Sequence, residues 1–307
     1  MNGLQIHIVR PGMQTLIQDT GRSGYRQHGI TPGGAADFYS FHIANLLLGN
    51  SPDAAALEVT LGGLLLEALQ DGVVAVAGTG AQVRVHGKVL KGQRRIQLHQ
   101  GDQMEVVYSP AGARTYVAFA GGLDVPAVLG SRSTHTRSGL GPAPVHAGVT
   151  LQAKQPSPHL NTRVVVPAFP LPALLPIRVL RGPEWEEHHA FQQPFRVTAQ
   201  SDRMGIRLEG PQVQLQRKAE MYSVAVMAGT VQLPAGGHPI ILLSDAQTTG
   251  GYPRVYQVIQ ADLWKLGQVL PGQQIQFSEV DFEAAEKALI EQDRQLHTLA
   301  RTLQFYR

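Results

Sequence analysis

The chain has 307 residues, a formal net charge of +3 and no cysteine. This length is sufficient for two domains, each with its own hydrophobic core. The lack of cysteine excludes disulfides, thiolate metal sites and a cysteine nucleophile. Basic residues do not cluster, which argues against nucleic-acid binding. The sequence shows neither a signal-peptide pattern nor a long uninterrupted apolar stretch, so we expect no membrane association and a cytoplasmic location.

Most of the chain consists of short apolar runs separated by glycine, proline and aspartate. This pattern is typical of strands in β-sandwiches and β-barrels and differs from alternating strands and helices. We predict strands at residues 4–9, 57–61, 73–77, 95–98, 104–108, 115–120, 177–180, 196–198, 230–233, 240–243, 255–259 and 274–277.

Helical patterns are few. One follows Pro32-Gly33-Gly34 and covers residues 36–48, ending at Gly49. A short helix is predicted at 261–266, and a long one begins after Ser278 or Asp281 and continues towards Phe305. The long helix carries one apolar stripe that indicates packing, with a helix at a protein interface as the alternative. The stripe is formed by Phe282, Ala285, Leu289, Leu296, Leu299 and Leu303.

Two features indicate a chain of two parts. Prolines crowd together between residues 154 and 176, which predicts a linker. The segments "GRSGYRQHG" and "DRMGIRLEG" share the pattern Arg-x-Gly-x-Arg-x-x-Gly, which suggests duplicated halves, although so short a match also arises by chance. We predict an N-terminal β domain at 1–160, a C-terminal β domain at 161–280 and a C-terminal helix at 281–307.

Several common motifs are absent from the sequence. No GxxxxGK[ST] phosphate-binding loop occurs, "GTGAQV" lacks the rest of a dinucleotide fingerprint, and "GRSGY" is not a nucleophile elbow. No lysine follows a methionine, so the chain has no biotin attachment site of the usual kind. The acidic and histidine residues at 184–189 have the wrong spacing for a metal site, and we interpret them as a solvated surface and predict no metal site.

Two polar loops in the first half could bind an anion. In the first loop, residues 18–37, Gly33 and Gly34 lead into a helix whose N-terminal amides favour negative charge, and Asp37 can also cap that helix. In the second loop, residues 130–141, Arg132 and Arg137 stand among hydroxyl groups that could hold a phosphate or carboxylate. An ordinary surface loop is the alternative interpretation for both.

The richest polar loop, "SDAQTTGGYP", separates two apolar runs in the second half. Loops at strand ends are common positions for catalytic and binding groups. Asp245 can accept a hydrogen bond or a proton from an amide-type substrate. Gly250 and Gly251 allow backbone N–H groups to approach a ligand closely. A structural turn needs fewer polar residues, so the loop favours a functional role.

Long segments in this order resemble one family, the biotin-dependent carboxyltransferase-like proteins, also called allophanate hydrolase subunit 2. The family includes KipA, part of the carboxyltransferase region of urea carboxylase and the C-type subunit of bacterial 5-oxoprolinase, which this chain resembles most. The similarity extends to about Phe277, with departures at residues 225–229 and at His135. The matching segments are "QDTGRSGYR", "TPGGAAD", "GNSPDAAALEVTLGG", "AGGLDVPAVLGSRST", "SDRMGIRLEGP" and "LLSDAQTTGGYP".

The resemblance implies a mainly β fold of two cyclophilin-like β-barrel domains with few helices, followed here by the C-terminal helix. It also implies ATP-dependent opening of 5-oxo-L-proline, a small amide substrate, to L-glutamate. This activity would require ATP with magnesium in a complex with the KipI-type partner, which is the B-type 5-oxoprolinase subunit, and with the third 5-oxoprolinase subunit. Because the chain lacks a P-loop, we expect ATP to bind at a shared surface or on a partner.

With this resemblance, the polar loops are interpreted as an amide-binding site. Asp245 would orient or deprotonate a substrate N–H or guide water, and Arg203 would neutralise a carboxylate. The catalytic residues predicted are Asp245, Thr248, Thr249 and Arg203. The substrate-binding residues predicted are Gln247, Gly250, Gly251, Tyr252, Arg22, Gly33, Gly34 and Asp37.

Three alternatives stay open at this point. The chain could be the carboxyltransferase component of a biotin-dependent urea or amide carboxylase, which would need a separate biotin carboxylase and carrier. It could instead be a KipA-like antagonist of a histidine-kinase inhibitor. It could also be a two-domain β scaffold whose loops only contact a partner.

Overall fold

The computed structural model describes residues 3–156, 159–216 and 221–306. In this part the chain is mainly β and has three α-helices, which confirms the predicted fold class and the C-terminal helix. The helices are α1 (Phe38–Leu48), α2 (Leu263–Leu266) and α3 (Phe282–Gln304). Within the described residues, no helix combines the length and apolar character that crossing a membrane requires.

The chain divides into two compact units that are not consecutive in sequence. The first unit comprises Met1–Arg22, Gly33–Pro170 and Arg294–Arg307, and the second comprises Ser23–Pro32 and Leu171–Asp293. The two units share helix α3, whose last turns belong to the first unit. The domain boundaries predicted from the sequence stay a prediction.

The first unit contains two six-stranded sheets. One has the strand order β11-β1-β4-β9-β6-β7 and the other β12-β8-β5-β10-β3-β2. The strands are β1 (Gln5–Pro11), β2 (Gln14–Gln18), β3 (Ala56–Thr60), β4 (Leu64–Ala68), β5 (Gly72–Ala77), β6 (Gln82–Val85), β7 (Lys88–Lys91), β8 (Gln93–Leu98), β9 (Gln103–Val106), β10 (Arg114–Phe119), β11 (Thr150–Gln152) and β12 (Val165–Val166).

One hydrophobic core joins the two sheets of the first unit. Ile6 on β1 and Leu66 on β4 belong to the same buried cluster as Val76 on β5 and Phe119 on β10. Alternating inward side chains on facing sheets produce such a core. The strands of this unit form two separate sheets, each with its own edge strands. The edge strand β7 carries the exposed charges of Lys88 and Lys91, which discourage pairing with another strand.

The second unit contains a closed barrel of seven strands in the order β13-β20-β17-β18-β15-β14-β21. The parallel pairing of β13 with β21 closes the ring, with Leu174 opposite Gln274 and Val179 opposite Glu279. A separate two-stranded sheet pairs β16 with β19. The strands are β13 (Leu174–Arg181), β14 (Phe195–Val197), β15 (Gly205–Glu209), β16 (Val224–Ala225), β17 (Thr230–Gln232), β18 (Ile240–Leu242), β19 (Thr249–Gly250), β20 (Arg254–Val258) and β21 (Gln274–Glu279).

The predicted strands all overlap strands of the structure. The short helix predicted at 261–266 is a 3₁₀ turn, Gln260–Asp262, followed by α2. Helix α1 begins two residues later than predicted because Asp37 is its N-cap, and it ends at Gly49, which adopts a positive φ of 72°. The strands that the sequence did not predict are β2, β4, β6, β7, β11, β12, β15, β16 and β19.

Candidate functional site in the second unit

The side chains of Arg203 and Asp245 form a buried ion pair in the second unit. The Arg203 Nε donates to Asp245 Oδ2 at 2.8 Å and its Nη2 donates to Oδ1 at 2.9 Å. The Arg203 and Asp245 residues are 5% and 4% exposed. Nη2 also lies 3.2 Å from the hydroxyl oxygen of Ser244. A guanidinium fork on a carboxylate fixes the orientation of both groups.

Antiparallel pairing of β15 with β18 brings these two residues together across 42 positions of sequence. Beyond the last paired residues of these strands, the Leu243 amide donates to the Met204 carbonyl at 2.9 Å. The Asp245 amide then donates to the Arg203 carbonyl at 3.1 Å. The backbone contact continues the ladder, so the ion pair forms where the two strands end.

The rest of the polar loop is held by its backbone. Thr248 accepts a hydrogen bond from the Val226 amide at 3.0 Å. Thr249 and Gly250 form β19 and pair with β16, while Tyr252 is 48% exposed. The side chain of Thr249 is exposed, and Gln247 and Thr248 are partly exposed. The loop therefore exposes hydroxyl and amide groups next in sequence to the buried Arg203–Asp245 ion pair.

The two glycines of this loop lie close to neighbouring groups. A Cβ at Gly250 would lie 2.5 Å from Nε2 of Gln232, a residue that is 2% exposed. A Cβ at Gly251 would lie 3.3 Å from the Met221 carbonyl oxygen. A side chain at Gly250 would therefore displace the loop or the buried amide.

Arg26 also belongs to this region, although the sequence analysis did not select it as a site residue. It lies in the 3₁₀ turn Arg26–His28, a part of the second unit, and its Nη2 donates to the Val226 carbonyl. The Val226 amide in turn donates to Thr248. The only sequence signal for Arg26 is its place in the repeated Arg-x-Gly-x-Arg pattern.

A second ion pair supports β20, the strand that follows the loop. Arg254 donates to both carboxylate oxygens of Glu184, from Nε at 2.9 Å and from Nη2 at 2.8 Å. The hydrogen bonds from Arg254 lower the pKa of Glu184 below its usual value, despite partial burial. Glu184, which the sequence placed in a solvated acidic run, therefore anchors the chain after the loop.

Four of the predicted substrate-binding residues lie in the first unit. Arg22 is 1% exposed, and its Nη2 donates to the Ser133 carbonyl at 2.6 Å. Gly33 and Gly34 have φ angles of 65° and 90°, and a Cβ at Gly34 would meet the backbone of the preceding loop at 3.1 Å. Their proposed binding role stays a prediction.

Asp37, the fourth of these residues, is fully buried and caps α1, because its Oδ1 accepts from the Ser40 amide at 2.9 Å. Its own amide donates to the Tyr116 hydroxyl at 2.8 Å, and that hydroxyl donates to Glu58 at 2.7 Å. Glu58 also accepts from the Ala36 amide at 2.9 Å. Carboxylates of the chain thus accept from two amides around the start of α1, those of Ala36 and Ser40.

The hydroxyl groups of the loop at 130–141 also serve an internal carboxylate. Ser131 and Ser133 donate to Oδ1 of Asp19 at 2.7 and 2.6 Å, and the Gly21 amide donates to the same oxygen at 2.8 Å. Asp19 is 4% exposed. The carboxylate that this loop holds in the structure is therefore Asp19, a residue that the sequence analysis did not select. Its signal was its place in "QDTG", directly after β2.

The residues at 184–189 make several contacts within the chain. In the part of the chain that the structure describes, no three His, Asp or Glu side chains come together as metal ligands. His188 and His189 stack with ring centroids 4.8 Å apart, and Nδ1 of His188 accepts from the Ala190 amide at 3.2 Å. Glu186 accepts from the Gln216 amide at 2.7 Å.

The chain matches a known protein family. The family described as "Carboxyltransferase domain, subdomain A and B" matches residues 28–279. The chain is 39% identical to the C-type subunit of 5-oxoprolinase from Escherichia coli (strain K12), over 96% of this chain and 97% of that protein. It is 34% identical to the C-type 5-oxoprolinase subunit of Haemophilus influenzae, over 92% and 93%. Urea amidolyase of Lachancea kluyveri is 31% identical over 95% of this chain, which spans 18% of that protein.

Solved structures that share this fold include the following two. The crystal structure of TTHA0988 has a TM-score of 0.84 and 34% identity, and the match covers 90% of this chain and 56% of that one. The urea amidolyase of K. lactis has a TM-score of 0.88 and 28% identity, and the match covers 97% of this chain and 20% of that one. This chain therefore spans about half of the first protein and a fifth of the second.

Proposed function

Because the chain belongs to the carboxyltransferase domain family, we propose that it is the C-type subunit of an ATP-dependent 5-oxoprolinase. With its partner subunits it would open 5-oxo-L-proline to L-glutamate. The partners proposed are the KipI-type protein, which is the B-type subunit, and the third 5-oxoprolinase subunit, acting in the cytoplasm.

The observation that carries this proposal is the extent of the match to the C-type 5-oxoprolinase subunits. It spans 97% of the E. coli protein and 96% of this chain. The urea amidolyases match this chain at lower identity, and it spans 18% of each of them. A match that covers nearly all of both chains supports a subunit of the same type.

The geometry of the polar loop supports a role in holding a small amide. Both carboxylate oxygens of Asp245 already accept from Arg203, so we assign this pair a positioning role that fixes the end of β18. The more exposed Thr249 hydroxyl and the backbone amides of Gly250 and Gly251 would contact the lactam. N–H donors held by a rigid sheet stabilise negative charge that develops on a carbonyl oxygen.

This chain alone offers few groups that could bind ATP. The sequence has no P-loop, and the described residues include no group of acidic and histidine side chains that could hold a metal ion. Around the start of α1, the Ala36 amide donates to Glu58 and the Ser40 amide donates to Asp37. We therefore propose that a partner supplies most of the groups that bind ATP.

A carboxyltransferase function is the second candidate, because the family description and the urea amidolyase matches point to it. It would require a biotin carboxylase and a biotin carrier from other chains. The same polar loop would then bind urea or another amide.

The first test is a reconstituted assay. This chain is purified with its KipI-type partner and the third subunit, and glutamate release from 5-oxo-L-proline is measured with and without ATP. We expect glutamate only when ATP and all the chains are present. Turnover that continues when this chain is omitted, or an active carboxyl transfer from biotin with no glutamate, would reject the proposal.

Replacing Asp245 tests the positioning role. Asp245→Asn leaves the Arg203 guanidinium buried without its partner charge, which costs about 3–5 kcal/mol of unfolding free energy. The double variant Arg203→Met/Asp245→Leu should recover most of this stability, because an apolar pair of similar volume replaces the ion pair. We expect both variants to lose activity. Urea denaturation measures the stability of each variant. Full activity of the stable double variant would contradict the assignment.

A further inference from the structure

A cavity of about 290 Å³ opens in the second unit, and its lining residues do not include residues of the polar loop. Its floor is aromatic: Phe191 and Tyr256 meet edge to face with ring centroids 4.9 Å apart, and Tyr256 lies 5.5 Å from Phe277. Trp185 completes the wall, and it is only partly buried. The volume is close to the lower limit of ordinary small-molecule sites, and an aromatic lining is typical of them.

Most of the charge on the rim of this cavity is already paired. Glu279 accepts from the Tyr256 hydroxyl at 2.6 Å through one oxygen and from Arg181 Nε at 2.8 Å through the other. The Arg181 guanidinium also lies over the Trp185 ring, 3.7 Å from its centroid. One wall of the cavity thus already contains a cation–π contact between Arg181 and Trp185. The attraction arises because the face of an aromatic ring is negative.

One charge on the rim remains available. Glu187 lines the cavity and is exposed, and its carboxylate has no ion pair among the residues that the structure describes. The Nδ1 atom of the adjacent His188 accepts a hydrogen bond from the Ala190 amide at 3.2 Å. The lining contains two carboxylates, Glu187 and Glu279, and one guanidinium, Arg181.

We propose that this cavity is a binding site for a small alkylammonium ion. The aromatic floor would contact the alkyl groups, and the carboxylate of Glu187 would supply the unpaired opposite charge. Desolvated cations gain most from such aromatic surroundings, because the negative ring faces replace water. This site is separate from the amide-binding loop, and its occupancy does not depend on the reaction proposed above.

Choline is a suitable probe, with its carbon isostere as control, in which a tert-butyl group replaces the trimethylammonium group. Trp185 is one of two tryptophans in the chain, so its fluorescence reports the cavity once Trp264 is replaced by phenylalanine. Titrations are carried out at constant ionic strength, balanced with sodium chloride. We expect a saturable change with choline and none with the isostere.

Charge variants on the rim give opposite predictions. Glu187→Gln should weaken choline binding about threefold to tenfold, because it removes the unpaired carboxylate without changing the shape. Gln192→Glu, at another exposed position of the lining, should tighten binding by a similar factor. Glu209→Gln lies outside the cavity and should change nothing.

Three results would overturn the proposal. The first is the absence of any saturable signal with choline. The second is equal binding of the tert-butyl isostere, which would show an apolar pocket without preference for cations. The third is stronger binding of benzoate than of choline, with unchanged choline affinity in the two rim variants.

Discussion

Gly141 shows how tightly the backbone packs around a buried guanidinium. Its φ angle is 78°, and a Cβ there would lie 2.1 Å from the carbonyl oxygen of Ser133. That carbonyl accepts the hydrogen bond from Nη2 of Arg22. A side chain at Gly141 would therefore disturb both the turn and the position of Arg22.

Gly139 provides a matched control for this collision. It also has a positive φ, 65°, but a Cβ there would meet no atom within 4 Å. Gly139→Ala should cost about 1 kcal/mol of unfolding free energy, the strain of the left-handed backbone alone. Gly141→Ala should cost several times more, as measured by urea denaturation. Equal costs for the two variants would show that the close contact relaxes without penalty.

The sequence identified some of the buried polar residues and missed others. Asp245 and Arg203 were selected because polar residues and glycines collected around strand ends and because a short pattern was repeated. Their direct contact could not be predicted, since it depends on the pairing of β15 with β18. Asp19 was missed, because an aspartate after a strand is as common in turns as in buried hydrogen-bond networks.

At the scale of elements, Asp262 joins the 3₁₀ turn before α2 to strand β13. It accepts from Arg178 Nη2 at 2.6 Å, and Lys265 Nζ lies 2.8 Å from its Oδ1. Burial raises the pKa of Asp262, but hydrogen bonds from Arg178 and Lys265 outweigh this effect and lower the pKa below its usual value. The folded state therefore favours the charged carboxylate.

This shift predicts how stability depends on pH. The contribution of Asp262 should be fully present above its unfolded pKa, about 3.9, and should be lost as the pH falls through the lower folded value. Asp262→Asn should cost about 2 kcal/mol at neutral pH, and the difference from the unmodified chain should shrink below pH ~4. Urea denaturation at a series of pH values measures this difference in unfolding free energy. Asp281→Asn, which keeps a good N-cap residue on α3, is the control and should cost little at neutral pH. A constant penalty for Asp262→Asn across the pH range would contradict the prediction.

The elements that the sequence predicted best are those with strong local signals. Alternating or continuous apolar runs identified strands such as β5 and β10, and glycine marked the end of α1. The strands that were missed are mostly short or carry little alternation, such as β16 and β19, two residues each. Their existence depends on pairing partners that lie far away in sequence.

At the scale of the whole molecule, distant pairings decide the architecture. The ring of the second unit closes through β13 and β21, elements about a hundred residues apart in sequence. A mainly β class follows from the spacing of apolar runs and turn residues, but the order of strands does not. The sequence and its resemblance predicted barrels, but the order of the strands in each unit had to come from the structure.

The end of the chain also completes the first unit. Leu303 on α3 is 4% exposed, and the Tyr306 carbonyl accepts from Nη1 of the buried Arg95 at 2.7 Å. The Tyr39 hydroxyl donates to Oε1 of Gln295 at 3.4 Å. Residues 294–306 thus bury apolar surface and accept a hydrogen bond from a buried guanidinium of the first unit, although they are distant in sequence from the rest of it.

A chain that stops after Asp293 should therefore lose stability in the first unit. Both tryptophans, Trp185 and Trp264, belong to the second unit, so their fluorescence reports that unit alone, while far-ultraviolet circular dichroism reports both. The truncated chain should keep its fluorescence midpoint in urea and show an earlier circular dichroism transition. Leu303→Ala should shift that transition in the same direction, at a cost of about 2–5 kcal/mol. If both signals moved together by the same amount, the end of α3 would stabilise the second unit as well, and the assignment of residues 294–307 to the first unit would be wrong.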